Sequence, residues 1–281
     1  MSRGALADAT TPPKARKATS RPTSAVSDYF HVSRRPWASL LFLLPLIAVY
    51  ELGTAAFVRD AATGAEYRII AFNLLNDFLR MFGATGRYLP AFAVVSILVA
   101  WHLARKDPWH VRPRVIGGMW LESACWALPL LALAVLMGRY LPLLAAEGPA
   151  PGTTFTATGE TVPLSWAAAA GGGGGVSLVV LSIGAGIYEE LVFRLIGFAL
   201  CGFVLVDLLG VRPSRALIAS LIITAVAFSL YHYLGHETPH WRSFLFRTLA
   251  GLFFGAVYLW RGFGVAAGTH AAYDVLVFSL R

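Results

Sequence analysis

Seven apolar runs, each near the length of a membrane-crossing helix, fill most of the chain after residue 37. They lie at residues 38–58, 89–104, 118–138, 176–206, 216–234, 244–260 and 263–280. A helix needs roughly 20 apolar residues to cross the hydrocarbon core. Only 14% of the 281 residues are charged, against roughly 25% in a soluble domain. Because several runs are short or adjoin their neighbours, the sequence predicts an all-α polytopic transmembrane helix bundle of about six to eight spans.

The N-terminal tail, residues 1–36, differs in composition from the rest of the chain. It is rich in Ser, Thr, Pro and Ala, and it carries seven Lys and Arg against two Asp. Such a segment cannot bury a core, so we expect it to be disordered. Its charge is typical of a cytoplasmic flank rather than of a nucleic-acid-binding arm, and no nucleic-acid partner is expected. Residues 37–281 then form one integral membrane domain in the lipid bilayer.

The basic residues also predict the orientation of the chain in the membrane. They recur after every second span, at Arg105, Lys106, Arg112, Arg114, Arg212 and Arg215. The positive-inside pattern therefore places the N-terminus in the cytoplasm and residues 235–243 on the exported side. The Ala-, Gly- and Arg-rich composition favours a bacterial inner (plasma) membrane. Between the first two spans, residues 66–83 predict an amphipathic interfacial helix with Arg68 on its polar side.

Three short polar motifs interrupt the apolar runs. Residues 189–194 are Glu-Glu-Leu-Val-Phe-Arg, residues 228–232 are Phe-Ser-Leu-Tyr-His, and residues 270–274 are His-Ala-Ala-Tyr-Asp. Ionisable groups are costly in hydrocarbon, and a chain that keeps several there usually uses them. Carboxylates and imidazoles together can activate water. The motifs therefore predict a water-activating site within the membrane.

The first motif contains two acids, of which only one has an ion-pair partner nearby in sequence. Glu190 and Arg194 are four residues apart, which places them on one helix face and allows an ion pair. Glu189 points about 100° away around the helix and has no partner nearby in sequence. A buried carboxylate of this kind can act as a general base. The alternative is a Glu-Arg clamp with a second Glu in a water pocket.

The two histidines each allow a structural and a catalytic interpretation. His232 could join helices by a hydrogen bond, and the adjacent Tyr231 and Tyr233 could form an aromatic belt at the interface. His270 and Asp274, again four residues apart, could satisfy each other in the last helix. The predicted spans put His232 nearer the exported face than Glu189 and His270. We therefore expect a displaced helix boundary or a broken helix.

The ordered set of Glu-Glu-x-x-x-Arg, Phe-x-x-x-His and His-x-x-x-Asn/Asp resembles the signature of the CPBP intramembrane proteases. This family includes the CAAX prenyl endopeptidases of the Ras-converting type and the bacterial Abi proteins. The resemblance covers residues 176–281 and implies a catalytic core there. It implies that Glu189 activates water with His232 as its partner, and that His270 and Asp274 orient water or stabilise the oxyanion. Supporting structural roles are implied for Glu190, Arg194 and Phe228.

The function implied is hydrolysis of a peptide bond in a membrane-anchored or membrane-embedded protein, by Glu-activated water. Prenylated CAAX tails or C-terminal membrane anchors of exported proteins are the candidate substrates. One alternative is an ion- or proton-coupled transporter, although no matching charged motif occurs in the N-terminal half. Another is a catalytically silent immunity or binding factor of the same fold.

Metal dependence stays open at this level. A divalent metal such as zinc, if it is used, would be held by Glu189, His232 and His270. A second pattern, His236-Glu237-x-x-His240, has the spacing of a zinc protease motif. That motif needs a continuous helix, and Pro239 disfavours one. We therefore expect a connecting loop there and no cofactor that the sequence makes certain.

Overall fold

The computed structural model describes residues 25–59, 64–140, 153–155, 161–163, 174–235 and 239–279. These residues are almost all helical, which confirms the predicted all-α class. The helices are α1 (Ala25–Ser33), α2 (Pro36–Phe57), α3 (Ile70–Met81), α4 (Leu89–Arg105), α5 (Pro113–Tyr140), α6 (Gly174–Leu208), α7 (Pro213–Tyr231), α8 (Trp241–Arg261) and α9 (Phe263–Ser279). A short antiparallel pair, β1 (Thr153–Phe155) and β2 (Thr161–Pro163), lies between α5 and α6.

Five described helices are long and apolar enough to cross a membrane, namely α2, α5, α6, α7 with the turn that follows it, and α8. Helix α4 is apolar but shorter. These six agree with the lower end of the predicted range, and the protein is an integral membrane protein. Helix α9 differs from them because most of its first eleven residues are buried inside the bundle. It packs between α5 and α6 and forms the centre of the fold.

Small residues allow α6 and α9 to approach closely. A Cβ atom on Gly186 would lie 2.5 Å from the carbonyl oxygen of Ala267 and 2.7 Å from the Cβ of Ala271. Without a hydrophobic driving force between helices in lipid, such close backbone packing is a main source of association. Gly186 lies one turn before Glu189 and Glu190, so this contact also sets their distance from α9.

Helix α6 changes its winding immediately after the two glutamates. It is α-helical over Gly174–Glu190, π-helical over Leu191–Ile196, α-helical over Gly197–Gly202 and π-helical again over Phe203–Leu208. Wide π turns inside α-helices are frequent at functional sites. Here the first wide turn carries Arg194 and follows the acids directly.

Two predictions about the N-terminal half need correction. Disorder was expected up to residue 36, but residues 25–33 form α1, because the Tyr29 hydroxyl donates to Glu122 of α5 and anchors the helix there. Residues 1–24 lie outside the described part. The interfacial helix begins at Ile70 rather than at 66, and Arg68 precedes it. Arg68 is buried, with Nη1 2.7 Å from Oε2 of Glu51, because that acid on α2 needs a counter-charge.

Candidate active site

The fold brings the three polar motifs to one place. Glu189 lies near the end of the first α-helical part of α6, His232 follows α7 directly, and His270 lies in α9. The Oε2 atom of Glu189 is 3.8 Å from Nε2 of His232 and 3.8 Å from Nε2 of His270. Glu189 is only 3% exposed. One buried carboxylate oxygen thus faces two imidazole nitrogens from two other helices.

The expected mismatch in depth is explained by a displaced helix boundary. Helix α6 continues to Leu208, and α7 begins at Pro213 after a short turn. Glu189 lies nineteen residues before the end of α6, and His232 lies nineteen residues after the start of α7. Because the two helices are antiparallel neighbours, these equal distances put the side chains at the same level.

The protonation of neutral His232 follows from its hydrogen bond. Its Nδ1 atom lies 2.7 Å from the carbonyl oxygen of Phe228. A carbonyl can only accept, so Nδ1 carries the proton and donates. In the neutral ring Nε2 is then an acceptor on the side of Glu189. The His232 side chain is 20% exposed, so this part of the site is not sealed.

His270 is held mainly by Glu190 rather than by Asp274. Its Nδ1 atom lies 2.8 Å from Oε1 of Glu190. Its Nε2 atom is 3.7 Å from Oδ2 of Asp274, beyond hydrogen-bond distance. The ring stacks on Phe254 with centroids 4.4 Å apart. His270 and Asp274 therefore form a loose pair, and the polar groups of His270 are not satisfied by Asp274 alone.

The predicted ion pair between Glu190 and Arg194 is present. Oε1 of Glu190 lies 3.1 Å from Nη1 of Arg194, and both side chains are fully buried. Arg194 also donates from Nη2 to the carbonyl oxygen of Gly251, at 3.1 Å. Its guanidinium lies 4.5 Å from the ring centroid of Phe228. Phe228 thus supports the arginine with its ring and His232 with its carbonyl group.

The sequence did not identify every residue around Glu189. The Tyr231 hydroxyl donates to Oε1 of Glu189 at 3.3 Å, and its side chain is buried. The aromatic-belt interpretation of Tyr231 is wrong, because a buried phenol needs a hydrogen-bond partner and finds it in this carboxylate. In the sequence, only its position next to His232 indicated that Tyr231 could belong to the site. Phe254 and Gly251 of α8 carried no signal in sequence.

The described residues contain no group of three His, Cys, Asp or Glu side chains arranged to hold a metal ion. Zinc ligands lie roughly 2.0–2.2 Å from the ion, so two donors on one tetrahedral ion are about 3.3–3.6 Å apart. The 3.8 Å separations around Glu189 are slightly longer than that. In the second pattern, His240 precedes α8, and its Nδ1 accepts from the amide of Arg242 at 3.4 Å. His236 and Glu237 lie outside the described residues.

Comparison with known families agrees with the motif resemblance. The family model described as type II CAAX prenyl endopeptidase Rce1-like matches residues 173–276. The chain carries an Rce1-like domain. This domain contains the whole of the three motifs, from Glu189 to Asp274. No curated protein and no solved structure matches the chain.

The matched family is a family of CAAX proteases, and this similarity supports a protease. The candidate site lies among helices that cross the membrane. The match begins at the start of α6 and ends in α9, so α1 to α5 lie outside it.

Proposed function

We propose that this protein is a glutamate-type intramembrane endopeptidase in which Glu189 is the general base. The observation that carries the proposal is the position of Oε2 of Glu189, 3.8 Å from Nε2 of both His232 and His270. Polar atoms separated by more than 3.5 Å are often bridged by water. A water molecule between them would contact the carboxylate and both rings at once.

The reaction then runs as a simple hydrolysis. Glu189 removes a proton from the water as its oxygen attacks the carbonyl carbon of the substrate. When the tetrahedral intermediate collapses, the C–N bond breaks and the amine leaves with the proton held by Glu189. General-base catalysis by a positioned side chain typically contributes about 10²–10⁴-fold to the rate.

In this mechanism the two histidines orient the water and stabilise the negative charge that develops on the substrate. His232, with Nδ1 donating to Phe228, offers Nε2 as an acceptor that orients the water. His270 has carboxylates on both sides of its ring, at Glu190 and Asp274. These carboxylates compensate the charge of a His270 ring that stays protonated on both nitrogens throughout the reaction, and its Nε2–H can donate to the oxyanion. We assign Asp274 the role of orienting His270, since a carboxylate cannot itself donate to an oxyanion.

The proposed substrate is a membrane-anchored or membrane-embedded protein. The candidates are a lipid-modified CAAX-type tail and the C-terminal anchor of an exported bacterial protein. Both would bring a peptide bond to the depth of the site without leaving the bilayer. The partly exposed edge of His232 is the side from which we expect the chain to enter.

Comparison of membrane and surface proteomes from cells with and without the protein tests this proposal. Cells restored with the wild type should process at least one membrane protein near its C-terminus. Cells restored with Glu189→Gln should not, because the amide keeps the shape but cannot take the proton. Asp77→Asn is the matched control, since Asp77 is exposed on α3. Full processing by Glu189→Gln would contradict the role of Glu189 and favour another water-activating group.

Treating the purified protein with a strong chelator tests whether the reaction needs a metal ion. If Glu189 acts directly on water, strong chelation of purified protein should leave the rate unchanged within about twofold. A loss that added zinc restores would contradict the metal-free mechanism while keeping the assignment as an endopeptidase.

A further inference from the structure

A basic cavity of about 580 Å³ opens at one end of the bundle, away from the residues used above. Its size is within the roughly 300–1,000 Å³ typical of ligand sites. It is lined by Phe30, His31, Arg34, Arg105, Trp260 and Arg261. No carboxylate is among these described lining residues.

The cavity lies where apolar helices leave the hydrocarbon. Arg105 is the last residue of α4, Arg261 is the last residue of α8, and Arg34 is two residues before the start of α2. Both α2 and α8 are long enough to cross the membrane. The side chains of Trp260 and Phe30 are 60% and 42% exposed there. Exposed aromatic rings at the ends of spans are typical of the headgroup region.

The arginines play different parts in this cavity. The side chain of Arg261 is held in place, because it pairs with Glu122 and its Nη2 donates to Ser33 at 2.9 Å. Arg105 pairs through Nε with Asp107 at 2.8 Å. Arg34 donates from Nη2 to the carbonyl oxygen of Leu259 at 3.3 Å, and this neutral acceptor leaves the charge of Arg34 uncompensated by that contact. The cavity is therefore positively charged.

We propose that this cavity binds the phosphate of an anionic phospholipid headgroup. Guanidinium groups match phosphate oxygens in charge and geometry, and basic pockets between transmembrane helices bind acidic headgroups. A free phosphate ion shares this chemistry. It would not use the exposed rings of Trp260 and Phe30, which are placed to contact the glycerol and upper acyl chain. The proposal is independent of the proteolytic activity.

Native mass spectrometry of the full chain in detergent tests the site. The protein is titrated separately with phosphatidylglycerol, phosphatidylcholine and inorganic phosphate. We expect wild type to bind phosphatidylglycerol at least about tenfold more tightly than phosphatidylcholine. A basic residue near an anionic lipid surface contributes about 1 kcal/mol, so Arg34→Gln and Arg105→Gln should each weaken that binding about fivefold.

Arg80→Gln is the matched control, because Arg80 is an exposed arginine on α3 that pairs with Asp77. It should bind phosphatidylglycerol like wild type, within about twofold. Equal binding of the two lipids, or an equal loss in Arg80→Gln, would overturn the site. Tight binding of inorganic phosphate that depends on Arg34, without a preference for phosphatidylglycerol, would overturn the lipid assignment alone. If Arg34→Gln does not accumulate, Arg105→Gln decides the result.

Discussion

Nδ1 of His270 lies 2.8 Å from Oε1 of Glu190, the same oxygen that lies 3.1 Å from Nη1 of Arg194. The second glutamate of the motif is therefore not only half of a buried ion pair. It connects that ion pair to an imidazole that faces Glu189. A substitution that breaks the ion pair should therefore also change the position of His270, because both contacts use this one oxygen.

Arg194→Ala tests this connection. Removing one partner of a buried ion pair leaves a stranded charge and costs roughly 3–5 kcal/mol. We expect the free energy of unfolding to fall by about that amount, with less folded protein in the membrane and correspondingly less activity. Accumulation measured by quantitative blotting and thermal unfolding in detergent will check this.

The control for Arg194→Ala is Arg80→Ala, which removes an exposed ion pair with a separation of 3.9 Å. Such surface pairs contribute roughly 0–1 kcal/mol, so little change is expected. Wild-type stability of Arg194→Ala would show that the pair is not structural.

Tyr231→Phe probes the residue beside Glu189 that the sequence did not identify. The change removes the hydroxyl that donates to Oε1 of Glu189 and keeps the buried ring. A hydrogen bond to a charged group contributes roughly 1.5–3 kcal/mol, so turnover should fall about tenfold or more. Thermal stability should fall by no more than that amount, because the buried ring keeps its packing. Tyr88→Phe, at an exposed tyrosine, is the control, and equal rates for the two variants would remove Tyr231 from the site.

The predicted residues that the structure brings together are those whose physical signal is local. Charges inside apolar runs are too costly to be accidental, so Glu189, His232 and His270 could be selected without a structure. The i,i+4 spacing of Glu190 and Arg194 likewise specified their ion pair. The same spacing puts His270 and Asp274 on one face, where they lie 3.7 Å apart, but Glu190 on another helix lies closer to the ring.

The missed features depend on contacts between distant segments. Phe254 stacks on His270 from α8, and an apolar residue in an apolar helix carries no mark of that position. Helix α1 is stabilised by Glu122, ninety-three residues away, so composition alone indicated disorder. Arg68 was assigned to a polar helix face because its partner Glu51 lies on a different span. Sequence patterns show which groups are costly to bury but not which groups will meet.

Gly186→Ala tests the close approach of α6 and α9. The added Cβ would lie 2.5 Å from a backbone oxygen of Ala267, so the helices must separate. Overpacking of this kind typically costs about 1–3 kcal/mol, and separation would also move Glu189 away from His270. We expect lower thermal stability and a larger loss of activity than of folded protein. Gly202→Ala is the control, because nothing lies within 4 Å of its Cβ position.

The histidine pair of the loop should be dispensable for chemistry. Replacing His236 and His240 together with Gln should leave substantial activity, because His240 accepts from the Arg242 amide at the start of α8 and lies outside the Glu189 cluster. Loss of such a cap costs roughly 0.5–2 kcal/mol, which a thermal unfolding measurement can detect. His232→Ala or His270→Ala should instead be severe. If the variant with both His236 and His240 replaced were inactive but normally stable, the result would favour a zinc site at these histidines.

The sidedness of the site follows from its depth in the bundle. His232 lies nineteen residues after the start of α7 at Pro213, or about 28 Å at 1.5 Å per residue, and it directly precedes the connection to α8. Since the hydrocarbon core is about 30 Å thick, His232 lies near the membrane face opposite the turn at 209–212. The positive-inside pattern puts the turn, with Arg212 and Arg215 beside it, in the cytoplasm. The site should therefore open towards the exported face.

Thiol labelling can decide this orientation. In a background with Cys125 and Cys201 replaced by Ser, Thr238→Cys should react with a membrane-impermeant reagent in intact cells. Asp207→Cys, at an exposed residue near the turn, should react only after the membrane is opened. The reverse pattern would mean that the chain is inverted and that the site opens towards the cytoplasm. That result would leave the arrangement of Glu189, His232 and His270 unchanged and would restrict the substrates to proteins with a cytoplasmic cleavage site.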